Sequence, residues 1–231
     1  MPRSRRAPAV DLRRPATVST PAMHTQLDLP GFGKSADVFV PDAIDAGDMR
    51  LSDYLLFLAI FPKPEDAERL ADAAVNICHA HALPGPPTQA DRLHITLRIL
   101  GRYGDAAIPQ IDIDRAVAAA AGVVCPELPI VFDRVGSLER GGNAFVWHCD
   151  ATSRAAFARL EQALLVRLGK RPSNREPHMT LLYSPPRAVA PLPIEPLRWT
   201  ATRFALILSH RGLHHHQWIG EWALGGRAAP V

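Results

Sequence analysis

The chain has 231 residues, 47% hydrophobic and 21% charged, an ordinary balance for a globular protein large enough for one domain or two small lobes. The formal charge is +3 at pH 7, yet residues 1–23 hold five of the 26 basic residues against one of the 23 acidic ones, leaving 21 against 22. A broad basic face for nucleic acid is therefore not indicated, and no apolar run reaches transmembrane length.

Residues 1–50 read as a disordered or loosely attached tail, rich in proline, glycine and small residues and without sustained periodicity. Its arginines resemble those of an organellar transit peptide, but Pro2, Pro8, Pro15 and Pro21 spoil the amphipathic helix that such a peptide needs. Met23 and Met49 are alternative starts. The folded domain is expected over residues 51–226, with 227–231 as a short C-terminal tail.

Tyr54 to Phe61 is an apolar run of strand length ended by Pro62 and Pro64. Pro64, Glu65 and Asp66 then open a helix over 64–82, with Ala67, Leu70, Ala71, Ala74, Ile77 and Cys78 on one face. A proline-rich loop, 83–88, leads into a Leu- and Ile-rich strand that stops at Gly101, and residues 102–110 read as a loop. Ile113, Val117, Ala120 and Ala121 predict a second helix ending at Gly122. Residues 128–135 and 144–149 predict two strands joined by a turn with Gly136 and residues 139–143. Thr152 or Ser153 is positioned to cap a third helix, in which Phe157, Leu160, Leu164 and Leu168 share a face and Gly169 closes the end. After a polar loop, 170–177, comes another strand, and 197–208 and 218–224 predict two last strands around a histidine-rich turn.

Two of these strands carry the same string: His94-Ile95-Thr96-Leu97 and His178-Met179-Thr180-Leu181. Residues two apart on a strand share a face, so His94 projects with Thr96 and His178 with Thr180. Each motif strand follows a strand and a helix, a degenerate internal duplication that would bring two imidazoles to opposite sides of a groove. Two imidazoles flanking a phosphate can take and give a proton near neutral pH, with threonine hydroxyls on the non-bridging oxygens.

The paired His-x-Thr-x strings resemble those of the two-histidine (2H) phosphoesterase superfamily, and within it the LigT-like RNA 2′,3′-cyclic phosphodiesterases, often described as 2′-5′ RNA ligases. The resemblance spans roughly residues 52–224 and is sharp around the two motifs. It implies an α+β fold of two antiparallel-sheet-plus-helix lobes, related by a pseudo-twofold about a central cleft. It further implies hydrolysis of RNA or nucleotide 2′,3′-cyclic phosphates to 2′-phosphomonoesters, with no metal or other cofactor. His94 would act as acid and His178 as base, and Thr96 and Thr180 would bind the phosphate. A 2′-5′ ligase, another small cyclic-phosphate or 2′-5′ phosphodiesterase, and a non-catalytic RNA- or nucleotide-binding module are the alternatives.

Other residues carry weaker signals. Arg98 shares strand parity with His94 and Thr96 and would reach the phosphate if the strand stayed regular; the alternative is a solvated edge arginine. Tyr183 stands where some family members have arginine, and by parity it points away from His178 into packing. Lys170, Arg171 and Arg175 either steer a phosphodiester backbone or form a solvated loop. His214, His215 and His216 lack a spaced carboxylate or histidine partner and read as an exposed loop rather than a metal site. Residues 26–32, Gln26 to Phe32, resemble the short peptides by which bacterial proteins dock onto the sliding clamp; the blander reading is a tail segment packed on the domain. Cys78, Cys125 and Cys149 form no CxxC pair, which argues against a disulfide framework or cysteine zinc site and suits a reducing cytoplasm. A cytoplasmic monomer is the expectation.

Overall fold

The computed structural model describes residues 38–39, 54–104, 108–138, 144–172, 175–210 and 215–226. Ten strands and three α-helices occur among them: β1 Val38–Phe39, β2 Tyr54–Ile60, α1 Pro64–Ala80, β3 Ile95–Tyr103, β4 Ile108–Pro109, α2 Gln110–Ala121, β5 Leu128–Ser137, β6 Ala144–Cys149, α3 Ala151–Leu168, β7 His178–Tyr183, β8 Leu192–Ala201, β9 Arg203–His210 and β10 His215–Ala223. Eight strands make one antiparallel sheet in the order β10-β9-β2-β3-β7-β6-β5-β8, while β1 and β4 pair separately.

The motif strands β3 and β7 lie side by side at the middle of that sheet, with Ile95 opposite Met179. These are equivalent positions of the two strings, so the local twofold passes between them. Outward from it, β2 matches β6, β9 matches β5 and β10 matches β8. Each half threads strand, helix, motif strand: β2-α1-β3 and β6-α3-β7. The fold is thus α+β and bilobal.

The helices form for local reasons. Pro64 occupies the first turn of α1 with Glu65 and Asp66, and Ala67, Leu70, Ala74 and Cys78 bury one face. In α3 the cap is Asp150, whose side chain accepts from the Ser153 backbone N–H at 2.7 Å. Ser153, expected as a cap, is instead buried, with its hydroxyl accepting from the Val131 N–H at 2.8 Å. Gly169 closes α3 in the left-handed region at φ +62°, where a side chain would be strained.

One face of the sheet packs on the main core, where Leu56, Leu58, Ile60, Leu70, Ile95 and Trp147 are fully buried. Burial at that depth stabilises by about 1.5–3 kcal/mol per large apolar side chain. A second, smaller apolar cluster lies on the other face of the β2 half: Phe57, Ala59, Phe61, Ala205 and Ile207. Alternation along β2 therefore serves two cores.

The segment expected as one strand over 197–208 is two. β8 pairs with β5 and β9 with β2, so the chain crosses between halves of the sheet at Thr202. No glycine or proline marks this corner; it shows as a parity slip, with Trp199 and Ala201 buried before it and Phe204, Leu206 and Leu208 in the main core after it. β3 also runs two residues beyond Gly101, and β10 starts at His215 rather than Trp218. Cys78, Cys125 and Cys149 are buried and free. Among the described residues no helix is long and apolar enough to cross a membrane.

Candidate active site

Ile95 opposite Met179 in an antiparallel pair sets His94 across from Thr180 and Thr96 across from His178. All four are partly buried and share the face opposite Ile95 and Met179, which enter the main core. Each imidazole is aimed in the same way. His94 Nδ1 donates to the Arg92 carbonyl oxygen at 2.7 Å, and His178 Nδ1 donates to the Glu176 carbonyl oxygen at 2.8 Å. A carbonyl only accepts, so both Nδ1 atoms carry hydrogen and each Nε2 is left to receive or deliver a proton.

The surroundings of the two rings differ. His94 packs among Phe57, Phe61 and His216, with ring centroids 5.3, 5.4 and 5.4 Å away. Burial, and next the nearby positive charges of His178 and Arg92, push its pKa down to about 4, although the Arg92 carbonyl opposes the shift. His178 lies opposite His148 on β6 and beside a charged cluster. There the Glu176 carboxylate accepts from Arg154 at 3.0 Å and Arg134 at 3.2 Å, and stands 3.5 Å from His148 Nδ1. Burial lowers the His178 pKa too, opposed first by its bond to the Glu176 carbonyl.

A bulge follows the threonine in both motif strands and changes where the next residues point. In β3, Thr96 pairs with Ala59 but Arg98 pairs with Leu58; in β7, Thr180 pairs with Val146 but Leu182 pairs with Phe145. Leu58 and Phe145 belong to the main core, so Arg98 and its equivalent Leu182 root on the core face, not beside the histidines. Arg98 therefore leaves the face of His94 and Thr96 that a regular strand would give it, and its guanidinium lies 3.9 Å from Glu161 on α3. The same bulge overturns the packing expected of Tyr183, which is 57% exposed and lines a cavity with His94 and Thr96. A second bulge in β3, between the partners of Leu56 and Phe57, returns Arg102 to the site face.

That cavity, about 310 Å³, has Leu55, Phe57 and Ile99 as apolar lining and Arg92, Arg102, Tyr183 and His216 as polar groups around His94 and Thr96. His178 and Thr180 are not part of its lining; β7 sets them beside it. His216 corrects the exposed-loop expectation: it is in β10, partly buried, with its pKa pushed down to about 3 by burial and then by His94. His215 is exposed and rests on His210, and His214 is outside the described residues. Of the basic run, Arg175 lines a small cavity with Thr96 and Arg98, Lys170 donates to the Leu100 carbonyl at 3.1 Å, and Arg171 is exposed. Among the described residues no group of three or more His, Cys, Asp or Glu gathers as a metal site. Residues 26–32 fall outside the described residues.

Arg92, Arg102, Glu176 and His216 were not legible as site residues. Arg92 and Glu176 carry a weak signal, each standing two before a motif histidine; the others depend on strand register.

The family model described as the 2′-5′ RNA ligase superfamily matches residues 62–213. The chain belongs to that superfamily. It is an enzyme of the LigT-like phosphoesterase and ligase type. Solved structures agree: E. coli LigT complexed with 3′-AMP is 25% identical, with a TM-score of 0.58 over 75% of this chain and 99% of that one. A structure described as a phosphoesterase is 25% identical, with a TM-score of 0.56 over 74% of this chain and 99% of its own. A Thermus thermophilus protein shares the fold at 20% identity and a TM-score of 0.58, covering 75% of this chain and all of that one at 100%. No curated protein sequence matches the chain.

Proposed function

We propose that the protein opens 2′,3′-cyclic phosphates at RNA or nucleotide ends, giving 2′-phosphomonoesters by paired-histidine acid/base catalysis without a metal. The observation that carries this reading is the matched pair of imidazoles, each with Nδ1 on a backbone carbonyl and Nε2 open, set across from the other motif's threonine. Water attacks phosphorus and loses its proton to one Nε2; the P–O3′ bond breaks, and O3′ takes a proton from the other ring. Thr96 and Thr180 hydrogen-bond the non-bridging oxygens as charge builds. Arg92 and Arg102 supply positive charge in the cavity.

The resemblance gives His94 as the acid and His178 as the base. In the free protein His94 is held neutral at a pKa of about 4, so an acid role requires that the bound phosphate's negative charge raise it. The complex of E. coli LigT with 3′-AMP supports nucleotide phosphate as ligand class. Replacing water by a ribose 5′-hydroxyl would use the same groups for 2′-5′ joining, the reaction for which the superfamily is named.

The test is incubation of cyclic-phosphate RNA and cyclic mononucleotides with the protein in excess chelator, followed by identification of the product isomer. A 2′-phosphate formed at an undiminished rate is expected. A 3′-phosphate product, or activity that vanishes with chelator and returns with a metal, would contradict the reading. Binding of RNA without turnover would favour a non-catalytic module.

A further inference from the structure

A second cavity, about 340 Å³, lies one ring away from His94. Its wall includes Phe61, Pro62 and Trp218, and Phe61 is shared between the two sites: its ring centroid is 5.4 Å from His94 and 4.6 Å from Trp218. Trp218 is 44% exposed, an unusual state for the largest side chain. Its position is imposed by the sheet. Trp218 stands opposite Ile207, which stands opposite Phe57, so all three share the face that carries His94's ring partners. A bulge between Trp218 and Gly220 breaks the β10 register at this point, the kind of irregularity that re-aims a side chain beside a site. The guanidinium of Arg203 lies 5.8 Å from the indole centroid and helps fix the ring.

The polar groups of this cavity discriminate between occupants. Glu68 and Asp91 line it, and the charge of Arg203 is already matched by Glu221 at 2.9 Å. Carboxylates repel a phosphate but accept hydrogen bonds from the amino groups of a base. The volume lies at the low end of the range of about 300–1,000 Å³ for small-molecule sites, which suits one nucleoside. Bases stack on exposed aromatic rings whatever their identity.

We propose that Trp218 and Phe61 form a stacking subsite for the base of a nucleotide adjoining the one that carries the cyclic phosphate. The inference rests on the function proposed above and sharpens it: the preferred substrate is an RNA end rather than a free cyclic nucleotide. The backbone of that RNA would pass His94 with its reacting phosphate between the histidines, while the neighbouring base leaves the cleft over Phe61.

The experiment compares kcat/KM for a 2′,3′-cyclic mononucleotide and for a trinucleotide ending in the same cyclic phosphate. It uses the parent, Trp218→Ala and Trp218→Phe, each shown to be folded by circular dichroism. The parent should favour the trinucleotide. Trp218→Ala should cut that preference about tenfold, mainly through KM, and Trp218→Phe should restore most of it. An equal fall for both substrates would overturn the proposal, because Trp218 would then only support Phe61 and His94. So would an unchanged preference, which would leave the cavity to a protein partner or to nothing. Should the parent turn over neither substrate, the proposed function fails, and binding of a trinucleotide ending in a 2′-phosphate decides the subsite. A tenfold weaker Kd in Trp218→Ala then sustains it, and an equal Kd overturns it.

Discussion

The two halves of the sheet build the same device and then surround it differently. Immediately before β3 and at the start of β7 a histidine is pinned through Nδ1 to the carbonyl two residues before it, a threonine follows on the same face, and a bulge follows the threonine. Around His94 the neighbours are rings: Phe57, Phe61 and His216. Around His178 they include His148 and the cluster of Glu176, Arg134 and Arg154. Rings offer little to an imidazolium that has lost its water; at His178 the Glu176 carboxylate favours the charged form, against His148 and Arg175, which disfavour it. Duplication thus supplies two imidazoles aimed in the same way, and divergence of the neighbours places them in different surroundings. In the proposed mechanism the bound phosphate must offset that difference, because His94, the acid, is the ring that burial holds at a pKa of about 4 in the free protein.

The comparison breaks most visibly if the two rings are not both needed. His94→Ala and His178→Ala should each lower kcat/KM on a cyclic-phosphate substrate on the order of 100-fold or more. Assay with an aryl phosphodiester, whose leaving group needs no proton, sharpens the roles: the variant lacking the acid should recover much more than the variant lacking the base. Near-parent turnover by either folded variant would leave the pairing without meaning.

Smaller effects are expected from the groups that hold phosphate or aim a ring. Thr96→Ala and Thr180→Ala should each cost about tenfold in kcat/KM, one hydrogen bond's net worth, with both proton carriers intact. Glu176→Ala releases Arg134 and Arg154 and loosens the backbone that aims His178, so its loss should also be about tenfold, but in kcat rather than KM. If Glu176→Ala changes KM alone, the cluster serves substrate binding and not the aim of His178. His216→Ala should cost a few-fold, roughly the 0.5–1.5 kcal/mol of one ring contact, and His216→Phe should recover it. Failure of His216→Phe would mean that the imidazole nitrogens matter.

The smallest prediction concerns stability alone. Asp150→Ala removes the cap of α3 and should cost about 1 kcal/mol, or about 2–4 °C in Tm, with turnover unchanged. A fall in activity at temperatures where the variant is folded would show that α3 influences the site directly.

Much of this was legible in the chain. Proline and acids at 64–66, a closing glycine at 169 and a 3.6-residue apolar period are local signals, and they located α1 and α3. The two His-x-Thr strings located the paired rings because a strand's alternation holds over three residues. It failed over five. Arg98, Tyr183 and His216 were misread because the bulges and the strand pairing of β10 are set by distant strands, for which single-strand periodicity carries no signal. Glu176 was missed for a related reason: its backbone carbonyl matters, and any residue supplies one.

The most direct test of the paired-histidine account is the pH dependence of kcat/KM for a 2′,3′-cyclic phosphate, in the parent and in the two single histidine variants. In the free protein both pKa values lie below the ordinary 6.5, His94 at about 4, so activity requires a pH at which one ring is charged and the other neutral. The parent should therefore give a bell whose two limbs both lie below 6.5, falling as pH rises through the higher value. The kcat profile should be displaced to higher pH, because bound phosphate favours the imidazolium. Each variant should lose one limb from its residual activity. A profile that is flat from pH 4 to 8, or a variant that keeps both limbs, would contradict acid/base catalysis by His94 and His178.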